Sequence, residues 1–213
     1  MALAELIGRV DHLLYAARDL GEGVDRIEAL IGVRAGPGGR HPAWGTHNAL
    51  IGLGDRIYLE IIAPDPDAPP PAAPRPLGLD TLSAPRLASW VAAATDLDRV
   101  AASARALGVD LGQVMERSRL RPDGTTLHWT MTDPAAPREG GVVPFFINWG
   151  DTPHPAASAP SGGRLVGLRA RHPDAKRVAV ILKRMGLALD VERSDPPGLV
   201  ATLETPKGRV ELA

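Results

Sequence analysis

Glu60 is the lone carboxylate in the apolar run IYLEIIA, residues 57–63. Alternation along a strand places Tyr58, Glu60 and Ile62 on one face and Ile57, Leu59 and Ile61 on the other. A carboxylate between Leu59 and Ile61 is costly to bury without a partner. Glu60 is therefore an exposed position, a buried carboxylate bonded to backbone, or a functional group. The chain has no cysteine, which removes disulfides, thiolate nucleophiles and Cys-based metal sites together. Any metal would rest on His, Asp and Glu. No G-x-S-x-G occurs, and Ser158, Ser161 and Ser194 lie in Pro/Gly-rich connectors, so a serine nucleophile is disfavoured.

The hairpin preceding Glu60 brings in a histidine. If Gly54-Asp55 is a two-residue turn, Leu53 pairs with Arg56, and counting back sets Ala49 opposite Glu60 and His47 opposite Ile62. His47 then shares the Glu60 face, whereas a three-residue turn would send it to the other side. The segment GGRHPAWGT, residues 38–46, has the wrong spacing for a dinucleotide fingerprint and does not join a strand to a helix. Arg40 could pair with a ligand carboxylate or phosphate and Trp44 could cover it, the alternative being a surface loop with a solvated arginine. His128, between Leu127 and Trp129 on a strand, could face either way.

Positioning these residues requires elements, and the chain divides at two Pro-rich stretches, residues 64–76 and 153–160, which read as extended connectors. The three parts share a pattern: an apolar run, a turn, an amphipathic helix, a Gly and an aliphatic residue. The closing glycines, Gly32, Gly108 and Gly186, are 76 and 78 residues apart, which suggests an internal repeat rather than ordinary helix stop signals. Strand candidates follow each helix, so each part reads β-α-β-β-β. A helix covers only one face of such a sheet, so two units must pair to enclose a cleft. The expected class is α+β: repeated βαβββ modules with paired curved mixed sheets forming a cleft, plus a third smaller module. The boundaries read 1–64 for the first module, 65–85 for a linker, 86–152 for the second, 153–163 for a linker and 164–213 for the third. Five of the eight aromatics, Trp90, Trp129, Phe145, Phe146 and Trp149, fall in the second part and divide between cleft wall and core.

The segments VDHLLYAARDL, GGRHPAWGTHNALIGLGDRIYLEIIAP and PFFINWGDTPHP together resemble the glyoxalase-like branch of the vicinal oxygen chelate superfamily. The resemblance implies paired βαβββ modules whose concave sheets hold a divalent metal through a His on a first strand and a Glu on a last strand. In this chain those positions are His12 and Glu60, the implied catalytic and metal residues. With His47 they would have the composition of a facial triad for Zn, Fe, Mn or Ni, with open positions for substrate oxygens. The second module departs from the pattern. Aligning Asp19-Leu20 with Asp96-Leu97 places Ser89 where His12 sits, and PFFINW offers Asn148 near the position of Glu60. Ser89 and Asn148 remain hydrogen-bonding groups for a ligand, with Arg40, Trp44, Asn48, Tyr58 and His128 as further binding candidates. His154, in the HP of the same signature, is read as pinning the second connector across the cleft rather than as a catalyst.

With 24 Lys+Arg against 25 Asp+Glu the net charge is -1, so nothing argues for nucleic acid or a membrane surface as partner. No segment reaches the roughly 18 to 20 apolar residues of a membrane span, and a cytoplasmic location is expected. Two functions compete. One is a metal-dependent lyase, isomerase or dioxygenase acting on a small oxygen-rich substrate. The other is a metal-free protein that sequesters a small molecule, which the broken second half-site favours. Three modules are an odd number, which points to a homodimer.

Overall fold

The computed structural model describes residues 3–120, 124–136 and 138–213. A short helix, α1 (Leu3–Ile7), precedes a first β-α-β-β-β run of β1 (Val10–Ala16), α2 (Leu20–Ile31), β2 (Gly36–His41), β3 (Thr46–Gly52) and β4 (Tyr58–Pro64). The second run comprises β5 (Arg86–Ala93), α3 (Leu97–Arg105), β6 (Val114–Leu120), β7 (Thr126–Thr132) and β8 (Phe145–Asn148). Asp19 caps α2 by accepting the Glu22 N–H at 2.9 Å, and Asp96 caps α3 in the same way from Arg99, also at 2.9 Å. Gly32 closes α2 at φ 89°, a left-handed conformation that costs glycine little. Val24, Ile27 and Ile31 form the buried face of α2, each side chain worth about 1.5–3 kcal/mol when removed from water.

The two runs share one eight-stranded mixed sheet, ordered β2-β3-β4-β1-β5-β8-β7-β6. Its central strands β1 and β5 are antiparallel, with His12 opposite Val91 and Leu14 opposite Ser89. Strands β4 and β8 flank them in parallel. The edge strands β2 and β6 approach each other, so the sheet curls nearly closed around a cleft. All seven residues of β1 are buried, because both of its faces are covered.

The last segment forms β9 (Arg164–His172), α4 (Ala175–Arg184), β10 (Asp190–Arg193), β11 (Gly198–Thr205) and β12 (Gly208–Leu212). Its chain order is again β-α-β-β-β, but its sheet runs β10-β9-β11-β12, with β9 and β10 adjacent and parallel. In the first two runs the corresponding strands lie at opposite ends of their half-sheets. Similar local patterns thus fold into different pairings. Leu165, Leu168, Ala170, Leu199, Ala201 and Leu203 of this sheet join the core on the convex side of the large sheet, together with residues of α2, α3 and α4. The third sheet therefore finds its cover inside the chain, and the odd number of units supplies no argument for a homodimer. Among the described residues no helix is long and apolar enough to cross a membrane.

Candidate active site

The concave side of the large sheet lines a partly open cavity with about 60 Å³ of free space. Its walls are mostly apolar: Leu14, Ile62, Trp129, Met131, Phe145 and Trp149 supply much of the surface, and Pro76 and Leu77 of the first connector close one end. Polar groups converge at one place on this lining: His12, His41, Asn48, Glu60 and Arg119.

The register explains the convergence. Strands β1 and β4 run in parallel with His12 beside Tyr58 and Leu14 beside Glu60, so His12, Tyr58 and Glu60 share a face. The His12 and Tyr58 rings stack with centroids 4.5 Å apart, and His12 Nε2 lies 3.5 Å from Glu60 Oε2. The other Glu60 oxygen accepts a 2.7 Å hydrogen bond from Asn48 Nδ2. Asn48 Oδ1 in turn accepts from the Gly39 N–H at 2.7 Å and from Arg119 at 3.2 Å. Gly38 is required here: a Cβ on it would fall 2.0 Å from Asn48 Oδ1.

Behind His12 stands Asp11. Strict alternation would turn Asp11 to the opposite side of the sheet, but the β1–β5 register shifts between Val10 and His12, making Asp11 the extra residue of a β-bulge. Its carboxylate meets His12 Nδ1 at 2.7 Å and His154 Nε2 at 3.2 Å, and accepts from Trp149 Nε1 at 3.2 and 3.1 Å. The Ala156 N–H donates to His154 Nδ1, so Nε2 carries the proton given to Asp11. Burial alone would raise the Asp11 pKa, but the hydrogen bonds from His12 and His154 outweigh it and hold the carboxyl well below the usual carboxylate range. Asp11 thus stays ionised, keeps a proton on His12 Nδ1, and leaves His12 Nε2 to face Glu60 and the cavity. Burial also pushes the His41 imidazole down against the pull of Glu60, and pushes the Tyr58 phenol up.

Family likeness can be weighed against this geometry. The glyoxalase-like domain model matches residues 10–186. The chain belongs to the glyoxalase-like domain family. It is thereby a vicinal oxygen chelate protein. A search of curated proteins finds no match. Among solved structures, a hypothetical protein from Staphylococcus aureus aligns over 96% of this chain and 98% of its own at 10% identity, with a TM-score of 0.67. Methylmalonyl-CoA epimerase from Mycobacterium tuberculosis aligns over 69% of this chain and 91% of its own at 18% identity and a TM-score of 0.43. A Streptomyces coelicolor methylmalonyl-CoA epimerase variant in complex with 2-nitronate-propionyl-CoA aligns over 65% and 95% at 20% identity, also with a TM-score of 0.43.

In this glyoxalase-like protein His12, Glu60, Asn48, Tyr58 and Trp44 all line the cavity. His47 does not. The β3–β4 hairpin pairs Leu50 with Glu60 and Asn48 with Ile62, because its turn closes from Leu53 to Ile57 around three residues. That shift of one residue sends His47 to the outer face and brings Asn48 in. Arg40 is also outside: it is exposed, forms two bonds of 2.9 and 2.8 Å to Asp65, and reaches Asp67 at 2.7 Å. His128 is exposed, opposite in facing to Leu127 and Trp129 on β7. Ser89 is fully buried with its hydroxyl directed to the carbonyls of Gly141 and Trp90. Asn148 lies off the cavity, donating to Thr95 O and accepting from the Gly150 N–H.

The pairing also corrects the counterpart of Glu60. The antiparallel β1–β5 pairs exchange His12 with Ser89 and Leu14 with Val91. Leu14 is beside Glu60 and Val91 is beside Phe145, so the second-module counterpart of Glu60 is Phe145 and not Asn148. A divalent metal held by both modules would need donors where the chain has a committed hydroxyl and a phenyl ring. Among the described residues no group of three or more His, Asp or Glu side chains is placed to hold a metal ion. His12 and Glu60 alone do not make the three- or four-donor set that Zn, Fe, Mn or Ni sites use, so the residues present do not fit the implied metal.

Sequence reasoning passed over Asp11, Arg119 and His41. The bulge hides Asp11 from any period-2 count, and Arg119 reaches the site from 71 residues away. His154 sits in the recognised HP signature, and its bond to Asp11 ties the second connector to the site.

Proposed function

We propose that this glyoxalase-like protein is an enzyme of the isomerase or lyase kind that moves a proton on a small organic carbonyl compound held in the cleft. The observation that carries this reading is the unbroken polar chain Asp11–His12–Glu60–Asn48 set into an apolar cavity. Glu60, oriented through Asn48, takes a proton from the carbon next to the carbonyl. His12, as an imidazolium balanced by Asp11, gives its Nε2 proton to the carbonyl oxygen. The product of the step is a neutral enol, with protonated Glu60 and neutral His12. Return of the protons to different atoms, or to the other face of the carbon, completes the turnover. The apolar walls exclude water, which strengthens both interactions.

Incubation of the purified protein with a panel of 2-oxo acids and α-substituted ketones in D₂O, followed by mass spectrometry, tests the reading. Deuterium should enter the carbon next to the carbonyl, should do so equally with a chelator present, and should vanish in His12→Ala and Glu60→Gln. Exchange that a chelator abolishes would restore a metal-dependent mechanism. The counterparts Ser89 and Phe145, neither of them a proton-transfer group, favour a second reading, a binding protein without catalysis. Tight ligand binding with no exchange supports that alternative.

A further inference from the structure

Among the described residues Arg119 is the arginine that lines the cleft, and its surroundings leave its charge unanswered. It lies on β6 at the seam where the edge strands β2 and β6 approach, with its stem over Gly39, where a Cβ would fall 2.5 Å from Cδ. It is 7% exposed, yet no carboxylate lies within salt-bridge distance among the described residues, and its Nε is buried without a hydrogen-bond partner. Arg34, Arg40, Arg75, Arg164, Arg169 and Arg177 all pair with carboxylates although they are more exposed. The cleft carboxylate that could neutralise Arg119 is Glu60, and Asn48 stands between them. Its Oδ1 takes the Arg119 N–H at 3.2 Å and its Nδ2 goes to Glu60 at 2.7 Å. The amide acts as a neutral spacer that keeps the two charges apart. A buried guanidinium that, among the described residues, is held by one amide oxygen is costly, and a carboxylate presenting two oxygens to its planar fork removes that cost.

We infer that Arg119 anchors an anionic group of the ligand and that the natural ligand is an organic carboxylate with an apolar body. The aromatic and aliphatic walls take the body, and the carboxylate lies toward the β2–β6 seam. This rests on the cleft being the ligand site, as proposed above, and it adds the ligand's charge.

Calorimetric titration of the full chain with matched pairs tests it: benzoate and benzamide, phenylacetate and phenylacetamide, phenylpropanoate and phenylpropanamide. At least one carboxylate should bind about 10- to 100-fold more tightly than its amide, the scale of a hydrogen bond to a charged group. Arg119→Met should erase that preference while leaving amide binding in place. In wild-type protein labelled with [15N]arginine, one buried Nε–H resonance should shift with the carboxylate and not with the amide, a readout that does not depend on a variant folding. The inference is overturned if no carboxylate outbinds its amide, if the preference survives Arg119→Met, or if no Nε–H resonance responds. Carboxylate binding without deuterium exchange would sink the proton-transfer reading and leave this one standing. Exchange on neutral ketones as fast as on oxo acids would do the reverse.

Discussion

Asp11→Asn isolates the device that orients His12. In the wild type three donors, on His12, His154 and Trp149, share the two oxygens of a carboxylate that is 3% exposed. The amide keeps one acceptor and turns an N–H toward donors. One buried donor loses its partner, at about 1–3 kcal/mol, and the remaining bonds lose their charge assistance, at about 0.5–1.5 kcal/mol each. Easier burial of a neutral group offsets part of this, leaving about 2–4 kcal/mol of destabilisation at pH 7. For a chain of this size that is a fall in Tm of roughly 5–15 °C. Folded Asp11 releases its proton well below the usual 3.8. Its contribution is therefore fully present above about pH 4 and drains as the pH falls toward the folded value. The wild-type lead over Asp11→Asn should hold from pH 7 to 4 and narrow below that by up to about 1.4 kcal/mol per pH unit. Urea denaturation of both proteins at pH 7, 5, 4 and 3 reads the two curves directly. A difference under about 0.5 kcal/mol at pH 7, or one that does not narrow below pH 4, would refute the account of Asp11 as an ionised triple acceptor.

His154→Ala and Asp11→Asn should not be additive: because they share one hydrogen bond, the double variant should be less unstable than the sum by about 1 kcal/mol, measured by a double-mutant cycle. Burial keeps His41 neutral to a lower pH than in the unfolded chain, so the unfolded state takes up that proton first and stability falls as the pH drops through about 6.5. His41→Gln should flatten that part of the stability profile. Gly38→Ala should cost about 1–3 kcal/mol in denaturant melts and weaken ligand binding, since the new methyl group displaces Asn48. His47→Ala, on the outer face, should leave ligand binding in the cleft unchanged, as titration of the variant would show.

Features that local rules govern are legible in the amino-acid sequence. Helix α2 follows from the spacing of Val24, Ile27 and Ile31 between Asp19 and Gly32, and the Glu60 face follows from alternation in a strand with a Tyr and an Ile on either side. The βαβββ order and the resemblance carried by VDHLLYAARDL then lead to the curved, paired architecture. Both succeed because periodicity and caps are encoded within a few residues.

The set of elements, the family and the pairing of His12 with Glu60 were thus written in the chain itself. Tertiary structure decided the composition of the site. One more residue in the Leu53–Ile57 turn exchanged His47 for Asn48, and one bulge brought Asp11 behind His12. Sheet pairing across the centre set Phe145 where a second carboxylate would have stood, and closure of the sheet carried Arg119 to Asn48. Register, bulges and edge-to-edge approach depend on which backbone groups find partners across the whole sheet. A single misplaced residue inverts every facing that follows, which is why a count along the chain could name the strands and still mistake what they hold.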